Sequence, residues 1–383
     1  MAQLSRRISL SLADGRGMTP RQLEDLEAAG VDRGFRHLAA AQGLASALAD
    51  SLEGFDRRVP EALTRLRDEA TIRRLASRAT LTRIGEVLDS EDIPWVAFKG
   101  PVIAARHRRP ELREFNDLDI LVSGAHLRAT LDALDEAGMP TPTRNWAGLA
   151  AHGVGELPID AGPLWVDLHW HLVGLARDRR TIRLDPVAML ERRRMVTVGT
   201  QEVPAFDPAD ELVHLAVHAG LGGAQRVTWL ADVAALIRTD PPSWDTVVSR
   251  LAGTGVAQMV GQVLDRTGQE LDADIPAATI EALVPGPALA LRRRSDRSVP
   301  SLETQLVRAY SGLAVAVWRD RPWATLAHVG AVTHDRIQAR RGRSIDWDVD
   351  AEDGPLYWGT TAGGDREKAA WLAWAAENGR WRS

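Results

Sequence analysis

The fold is decided by one stretch in the middle of the chain, Asn116–Val122, which reads NDLDILV. Its aliphatic and β-branched content is typical of a buried strand. Side chains at i and i+2 on a strand project to the same face, so Asp117 and Asp119 lie side by side. Leu118 and Ile120 then face the core. The stretch therefore predicts a strand with two solvent-facing carboxylates on its polar face.

Strands and helices alternate around this stretch. The apolar run Trp95–Phe98 predicts a strand before it, and a helix is expected after each of these two strands. Further along, residues 164–172 alternate between apolar and polar, which predicts a third strand with Asp167 on its polar face. A strand pair at 195–198 and 202–206 is expected to close a small mixed sheet.

Helical periodicity dominates the rest of the chain, so we predict an α+β fold in which a small mixed sheet is flanked by helical regions. Four regions follow from this pattern: a helical N-terminal region at 1–90, a central catalytic domain at 91–206, a helical C-terminal domain at 207–340, and a loosely attached tail at 341–383. Three late helices are expected near 302–318, 322–340 and 366–376.

Composition excludes several classes of protein. The 383 residues carry a formal net charge of −5 and include no cysteine, which excludes disulfides, zinc ribbons, iron–sulfur clusters and cysteine nucleophiles. Slight acidity argues against a broad nucleic-acid-binding face. Apolar runs are far shorter than the roughly 20 residues of a bilayer span, and no signal sequence follows Arg6 and Arg7. We expect a cytoplasmic protein without a membrane partner.

Three carboxylates carry the predicted chemistry. Asp117 and Asp119 would repel each other unless a divalent cation lay between them, and Mg²⁺ prefers such oxygen ligands. With Asp167 on a neighbouring strand, they form the ligand set that two-metal phosphoryl or nucleotidyl transfer needs. Gly100, at the end of the first strand, would let backbone amides approach phosphate oxygens. Ordinary surface acidity remains the alternative, because pairs with this spacing recur elsewhere in the chain.

Several other residues have two interpretations each. Lys99 and Arg113 either bind a triphosphate or form salt bridges with the acidic cluster. His169 shares the face of Asp167, so it either contacts the substrate or supports the site through a structural hydrogen bond. His214 and His218 lie four residues apart on one helix face, which suits metal binding, but interdomain packing is the favoured interpretation.

Several segments together resemble an uncharacterised bacterial nucleotidyltransferase family of the polymerase-β-like superfamily. In chain order they are Phe98 to Gly100, Arg109 with Pro110, Arg113, Asp117 to Val122, Val166 to Trp170, Leu212 with His214 and His218, and Trp229 to Asp232. The resemblance covers residues 90–240 and implies a small mixed sheet with two metal-binding carboxylates on one strand and a third on another. One departure is Pro101, which offers no amide donor where the superfamily usually has Gly or Ser.

The resemblance implies a metal-dependent nucleotidyltransferase that uses two Mg²⁺ ions. Its catalytic and metal-binding residues would be Asp117, Asp119 and Asp167. It would move a nucleoside monophosphate from a nucleoside triphosphate to an acceptor that stays open: a small molecule, peptide, protein or RNA. Two alternatives also stay open. One is a catalytically silent binding or regulatory partner, as in a toxin–antitoxin-like pair, and the other is a metal-dependent phosphohydrolase that uses the same carboxylates, histidines and water.

Overall fold

The computed structural model describes residues 2–28, 39–40, 42–224, 226–290, 330 and 364–379. Its strands are β1 (Trp95–Phe98), β2 (Asp117–Val122), β3 (Glu156–Asp160), β4 (Trp165–His169), β5 (Arg194–Val198) and β6 (Gln201–Ala205). Its helices before the last strand pair are α1 (Ala2–Ala13), α2 (Pro20–Ala28), α3 (Ala45–Glu53), α4 (Glu61–Ser90), α5 (Gly100–Ala104), α6 (Leu127–Glu136), α7 (Trp146–His152), α8 (Ala176–Arg179) and α9 (Pro186–Glu191). The helices after it are α10 (Pro208–Leu221), α11 (Val227–Thr239), α12 (Trp244–Leu251), α13 (Ala257–Leu271), α14 (Ala277–Leu283) and α15 (Asp365–Asn378).

A four-stranded mixed sheet in the order β1-β2-β4-β3 forms the centre of the molecule. Strands β2 and β4 are parallel, whereas β1 with β2 and β3 with β4 are antiparallel. The predicted α+β class and the strands at 95–98, 117–122 and 165–169 are thereby confirmed. The parallel register pairs Asp119 with Asp167, which brings the carboxylates of the two strands onto one face.

The prediction that residues 195–206 close this sheet is wrong. Among the described strands, β5 and β6 pair with each other alone, in a separate two-stranded antiparallel sheet. The fourth strand of the main sheet is β3, which the sequence analysis did not predict because Pro158 interrupts its apolar pattern. A proline is tolerated there because β3 is an edge strand, with one side free of a hydrogen-bonded neighbour.

The N-terminal and C-terminal helices share one hydrophobic core. Buried residues of α1 to α3, such as Leu12 and Leu48, belong to the same cluster as those of α10 to α14, such as Leu215 and Val263. A second core lies between the sheet, the end of α4, α6, α7 and α15. Trp371 of α15 is fully buried in it, and α15 confirms the helix expected near 366–376, whereas residues 341–363 of the tail lie outside the described residues.

Some predictions fall outside this description. The helices expected near 302–318 and 322–340 lie outside the described residues, and the domain boundaries stay a prediction. Over the described ranges, no helix has the length and apolar character needed to cross a bilayer. The cytoplasmic location stays a prediction as well.

Candidate functional site

One face of the sheet borders a cleft of about 700 Å³. The cleft separates the sheet from helices α4, α10 and α11, whose side chains form its other walls. Four carboxylates from three neighbouring strands line the sheet side, and we call them the carboxylate cluster: Asp117, Asp119, Glu156 and Asp167. The strand alternation that buries Leu118, Val166 and Leu168 on the opposite face is what aims these side chains at the cleft.

A strained turn between β1 and α5 places Lys99 against this cluster. Lys99 has φ +52° and ψ −145°, a conformation that side chains with a Cβ rarely adopt, and Gly100 follows with φ +38°. A Cβ on Gly100 would lie 3.1 Å from the carbonyl oxygen of Asp117, so the close approach of turn and strand requires glycine. The turn brings Nζ of Lys99 within 2.9 Å of Oδ1 of Asp119.

Asp119 is the member of the carboxylate cluster whose negative charge is balanced by neighbouring side chains. It is only 3% exposed, so the expectation that it faces solvent is wrong. Its Oδ1 accepts a hydrogen bond from Lys99 and lies 3.1 Å from Nε2 of His169. Burial alone would raise the pKa of Asp119, but the Lys99 ammonium and His169 more than offset it and hold the pKa well below its usual range.

The other two predicted carboxylates are only partly compensated. Burial raises the pKa of Asp167 to about 7; His169 acts in the opposite direction, and the negative charges of Asp119, Glu156 and Asp117 add to the increase. Burial and the neighbouring Asp119 raise the pKa of Asp117 as well, with Lys99 and His169 acting in the opposite direction. The carboxylate cluster therefore holds more negative charge than Lys99 and His169 neutralise, which is the condition that a bound metal cation relieves.

The donor atoms suit a divalent cation. Ligand atoms of Asp119, Asp167 and His169 lie within 4.8 Å of one another. Carboxylate oxygens and imidazole nitrogens are ligands that Mg²⁺, Mn²⁺ and Zn²⁺ accept in different proportions. The structure thus brings together Asp119 and Asp167 as the sequence analysis expected and adds His169 to them, while Asp117 lines the same cleft outside this group of three.

His169 bridges two carboxylates. Its Nε2 contacts Asp119, and its Nδ1 lies 3.1 Å from Oε2 of Glu156, although without hydrogen-bond geometry. Burial lowers the pKa of His169, but Glu156 and Asp119 overcome that effect and raise it above its usual value. Glu156 was missed by the sequence analysis because strand β3, which carries it opposite His169, was not predicted.

Arg113 makes a different salt bridge from the one expected. Its Nε and one terminal nitrogen each donate a 2.7 Å hydrogen bond to the carboxylate of Asp232 on α11, and its other terminal nitrogen donates to the carbonyl of Glu114. Nε2 of His107 lies 2.8 Å from the same carboxylate. We call Arg113, Asp232 and His107 the Arg113 cluster. Burial would raise the pKa of Asp232, but Arg113 and His107 hold it well below its usual range.

The helical side of the cleft carries both histidines of the HxxxH spacing. His214 and His218 of α10 line the cleft, together with Trp229 of α11. The sequence analysis favoured packing between domains as the role of these histidines. That role does not account for their position at the cleft. Unlike Trp229, Trp165 of β4 does not line the cleft, and it is 45% exposed.

Comparison with known proteins gives one family. The sequence model of a family described as "Uncharacterised nucleotidyltransferase" matches residues 32–270, more than half of the chain. No curated protein matches the sequence. Among solved structures, a match is the crystal structure of an antigenic nucleotidyltransferase-like protein from Paracoccidioides brasiliensis, with 15% identity and a TM-score of 0.32. The match covers 55% of this chain and 94% of the other, and at this TM-score it carries no argument.

Proposed function

This chain belongs to the family of uncharacterised nucleotidyltransferases, and we propose that it is a metal-dependent enzyme that transfers a nucleoside monophosphate from a nucleoside triphosphate to an acceptor. Membership of the wider polymerase-β-like superfamily is part of this proposal. The acceptor class, whether small molecule, peptide, protein or RNA, is a question for experiment.

The observation that carries the proposal is the uncompensated negative charge at the cleft. Asp117 and Asp167 are held close to Asp119 in a largely buried position, where one ammonium and one imidazole face four carboxylates. Burying like charges together costs folding free energy, and a protein offsets that cost when a cation binds between them. A metal that also holds phosphate oxygens is the cation that nucleotidyl transfer requires.

We propose Mg²⁺ as this metal, in two ions held by Asp117, Asp119 and Asp167. Asp119 is the proposed shared ligand because it lies between the other two on the sheet, in register with Asp167 and two residues from Asp117. His169 supports the site by contacting the same Oδ1 of Asp119 that Lys99 contacts. When bound, the ions would stabilise the negative charge that develops on the attacking and leaving oxygens.

The chain's own residues supply binding and orientation. Lys99, with its ammonium at the cleft, would share its charge between Asp119 and the β- or γ-phosphate. The backbone of Gly100 lies at the same edge of the cleft and would approach the phosphates closely. Arg113 is better explained as a structural cation, because Asp232 and the Glu114 carbonyl already occupy its guanidinium.

Incubation with each labelled nucleoside triphosphate and Mg²⁺ tests the proposal, with pyrophosphate and phosphate measured separately. The proposal expects release of pyrophosphate together with a labelled acceptor product, lost on addition of EDTA. Release of inorganic phosphate alone would instead establish the phosphohydrolase alternative. Absence of turnover with every triphosphate and with cell-extract acceptors would establish the silent binding or regulatory partner.

A further inference from the structure

One face of helix α10 forms a stripe along the cleft. His214, Val217, His218 and Leu221 follow the i, i+3, i+4, i+7 spacing of a single helix face, and all four line the cleft. Trp229 of α11 continues the surface, with its ring edge-on to His218 at a centroid distance of 4.4 Å. We call these five residues the helical wall.

The helical wall carries no charge at neutral pH. Burial lowers the pKa of His218 to about 3, and the nearby Lys99 ammonium adds to the decrease. Burial and Lys99 also hold the pKa of His214 well below its usual value. Both imidazoles are therefore neutral, each with one N–H donor and one acceptor nitrogen. The α10 face of the cleft is thus uncharged, whereas the sheet side is ionic, and the charged residues at the helices, Glu69, Arg73 and Arg226, lie outside this face.

His214 has an unmet hydrogen-bonding requirement. Its side chain is 5% exposed, and its Nε2 is buried without a hydrogen-bond partner in the described part of the chain. A buried polar nitrogen that lacks a partner is unfavourable, and a ligand or an ordered water can supply the missing hydrogen bond. His214 also packs edge-on against Phe98, the residue before Lys99, at 4.8 Å. The wall therefore begins beside the proposed phosphate contact.

We propose that the helical wall binds the nucleoside end of the triphosphate, the base and ribose, while Lys99 and the carboxylate cluster face its phosphates. This inference rests on the proposed function. A nucleoside triphosphate has an anionic end and an uncharged aromatic end, and the cleft offers Lys99 with the carboxylate cluster to the first and the uncharged α10 face to the second, where the Arg226 guanidinium also lies 5.2 Å from the Trp229 ring centre. Aromatic side chains favour a base through its π-face, and neutral imidazoles offer hydrogen bonds to base edges or ribose hydroxyls.

The wall runs outward from this point. His214 lies beside Phe98, and Leu221, at the C-terminal end of α10, is 40% exposed at the opposite end of the stripe. A ligand whose phosphates lie at Lys99 can therefore extend its ring system along the stripe toward solvent. An acceptor bound along the same wall is the competing occupant, and the experiment separates the two.

The experiment compares nucleotides with a ligand that has the phosphates and no nucleoside. Calorimetry with Mg²⁺ measures the affinity of the α,β-methylene analogues of ATP, GTP, CTP and UTP, in which the bond broken by nucleotidyl transfer is blocked, and of inorganic tripolyphosphate. His218→Ala should weaken the best nucleotide by about tenfold, since contacts of this kind are worth on the order of one decade in affinity, and leave tripolyphosphate unchanged. His218→Asn, which keeps a hydrogen-bonding group, should recover part of the loss.

Two further variants complete the design. Leu221→Asn changes the wall at its exposed end, where folding is least affected, and should also weaken the nucleotide selectively. Glu69→Gln changes the α4 wall of the same cleft and should leave the ratio of the two affinities as in the wild type.

Three results would overturn the inference: equal weakening of both ligands, no weakening of either, or a wild-type protein that binds nucleotides no more tightly than tripolyphosphate. The inference and the proposed function can also fail separately. If the variants lose affinity for nucleotides but not for tripolyphosphate, and the wild type never transfers a nucleotide, the inference stands and the proposed function is wrong.

Discussion

Two buried charged clusters differ in how their charges are balanced: the carboxylate cluster lines the cleft, and the Arg113 cluster reaches it through Arg113. In the Arg113 cluster, one guanidinium meets one carboxylate through two 2.7 Å hydrogen bonds, with His107 as a third partner. In the carboxylate cluster, four acidic side chains face one ammonium and one imidazole. The pKa of Asp232 accordingly lies below its usual value, while the pKa values of Asp117 and Asp167 lie above it.

The difference indicates what each cluster does. A balanced buried pair joins the loop before β2 to helix α11, so its contribution is to hold the sheet and the helical region together. An unbalanced cluster lowers the stability of the folded chain, which is the pattern expected where a ligand supplies the missing charge. Substitutions in the first should therefore alter stability, and those in the second should alter activity.

The largest expected effect is on turnover. Asp119→Asn and Asp167→Ala should each reduce nucleotidyl transfer by roughly 10³-fold or more, since each removes a ligand from the proposed two-metal site. Asp135→Asn is the matched control, because Asp135 is an exposed carboxylate on α6. Circular dichroism without metal should show intact folds, with a lower melting temperature for Asp119→Asn alone, because it leaves the Lys99 ammonium without its carboxylate. Wild-type turnover of either variant at saturating Mg²⁺ would remove that residue from the site.

The second effect is on stability. Arg113→Met should destabilise the protein by about 3–5 kcal/mol, because it leaves the Asp232 carboxylate buried and unpaired. The double variant Arg113→Met with Asp232→Leu should recover much of the loss, since neither charge then remains. Chemical denaturation measures both. If Arg113 instead binds the triphosphate, the single variant should keep its stability and raise the nucleotide KM.

The third effect is the pH dependence of stability in metal-free protein. An unfolded aspartate titrates near 3.9, and folded Asp167 at about 7, so between these values the folded chain holds a proton that the unfolded chain has lost. Stability should therefore decrease as pH rises from about 4 to 7, by on the order of 3 kcal/mol from this group. Denaturation in EDTA at several pH values should show a smaller decrease for Asp167→Asn. An identical decrease in both proteins would contradict the unbalanced charge.

The smallest effect concerns Lys99. Lys99→Ala should raise the nucleotide KM by about tenfold, equivalent to about 1.4 kcal/mol, and lower kcat less, because a charge on the β- or γ-phosphate acts in the ground state as well as in the transition state. Lys368, the other lysine of the chain, lies on α15, so Lys368→Ala is the control. An unchanged KM would return Lys99 to a purely structural role beside Asp119.

Local patterns in the sequence predicted the part of the fold that the strands themselves encode. Alternation placed Asp117, Asp119 and Asp167 on one sheet face, and the parallel register then aligned Asp119 with Asp167. Strand β3 was missed because Pro158 breaks the pattern of an edge strand. The hairpin β5–β6 was assigned to the wrong sheet, because the sequence of a strand does not specify which strand it pairs with.

The features of the site that the sequence did not predict depend on contacts between segments that are distant along the chain. Asp232 is separated from Arg113 by 119 residues, so their pairing depends on how α11 packs against the loop. Glu156 reaches His169 only through the register of β3 with β4. The HxxxH spacing placed His214 and His218 on one helix face, but only the packing of α10 shows that this face lines the cleft.

Titration of metal-free protein with Mn²⁺, followed by electron paramagnetic resonance, tests the contrast between the clusters most directly, because Mn²⁺ accepts the same oxygen ligands as Mg²⁺. This titration measures metal binding directly, so the acceptor does not have to be known. The wild type and Asp135→Asn should bind Mn²⁺ with equal affinity, whereas Asp119→Asn and Asp167→Asn should bind it at least about tenfold more weakly, a loss of about 1.4 kcal/mol. Equal Mn²⁺ affinity in all four proteins would contradict the assignment of the carboxylate cluster as a metal site.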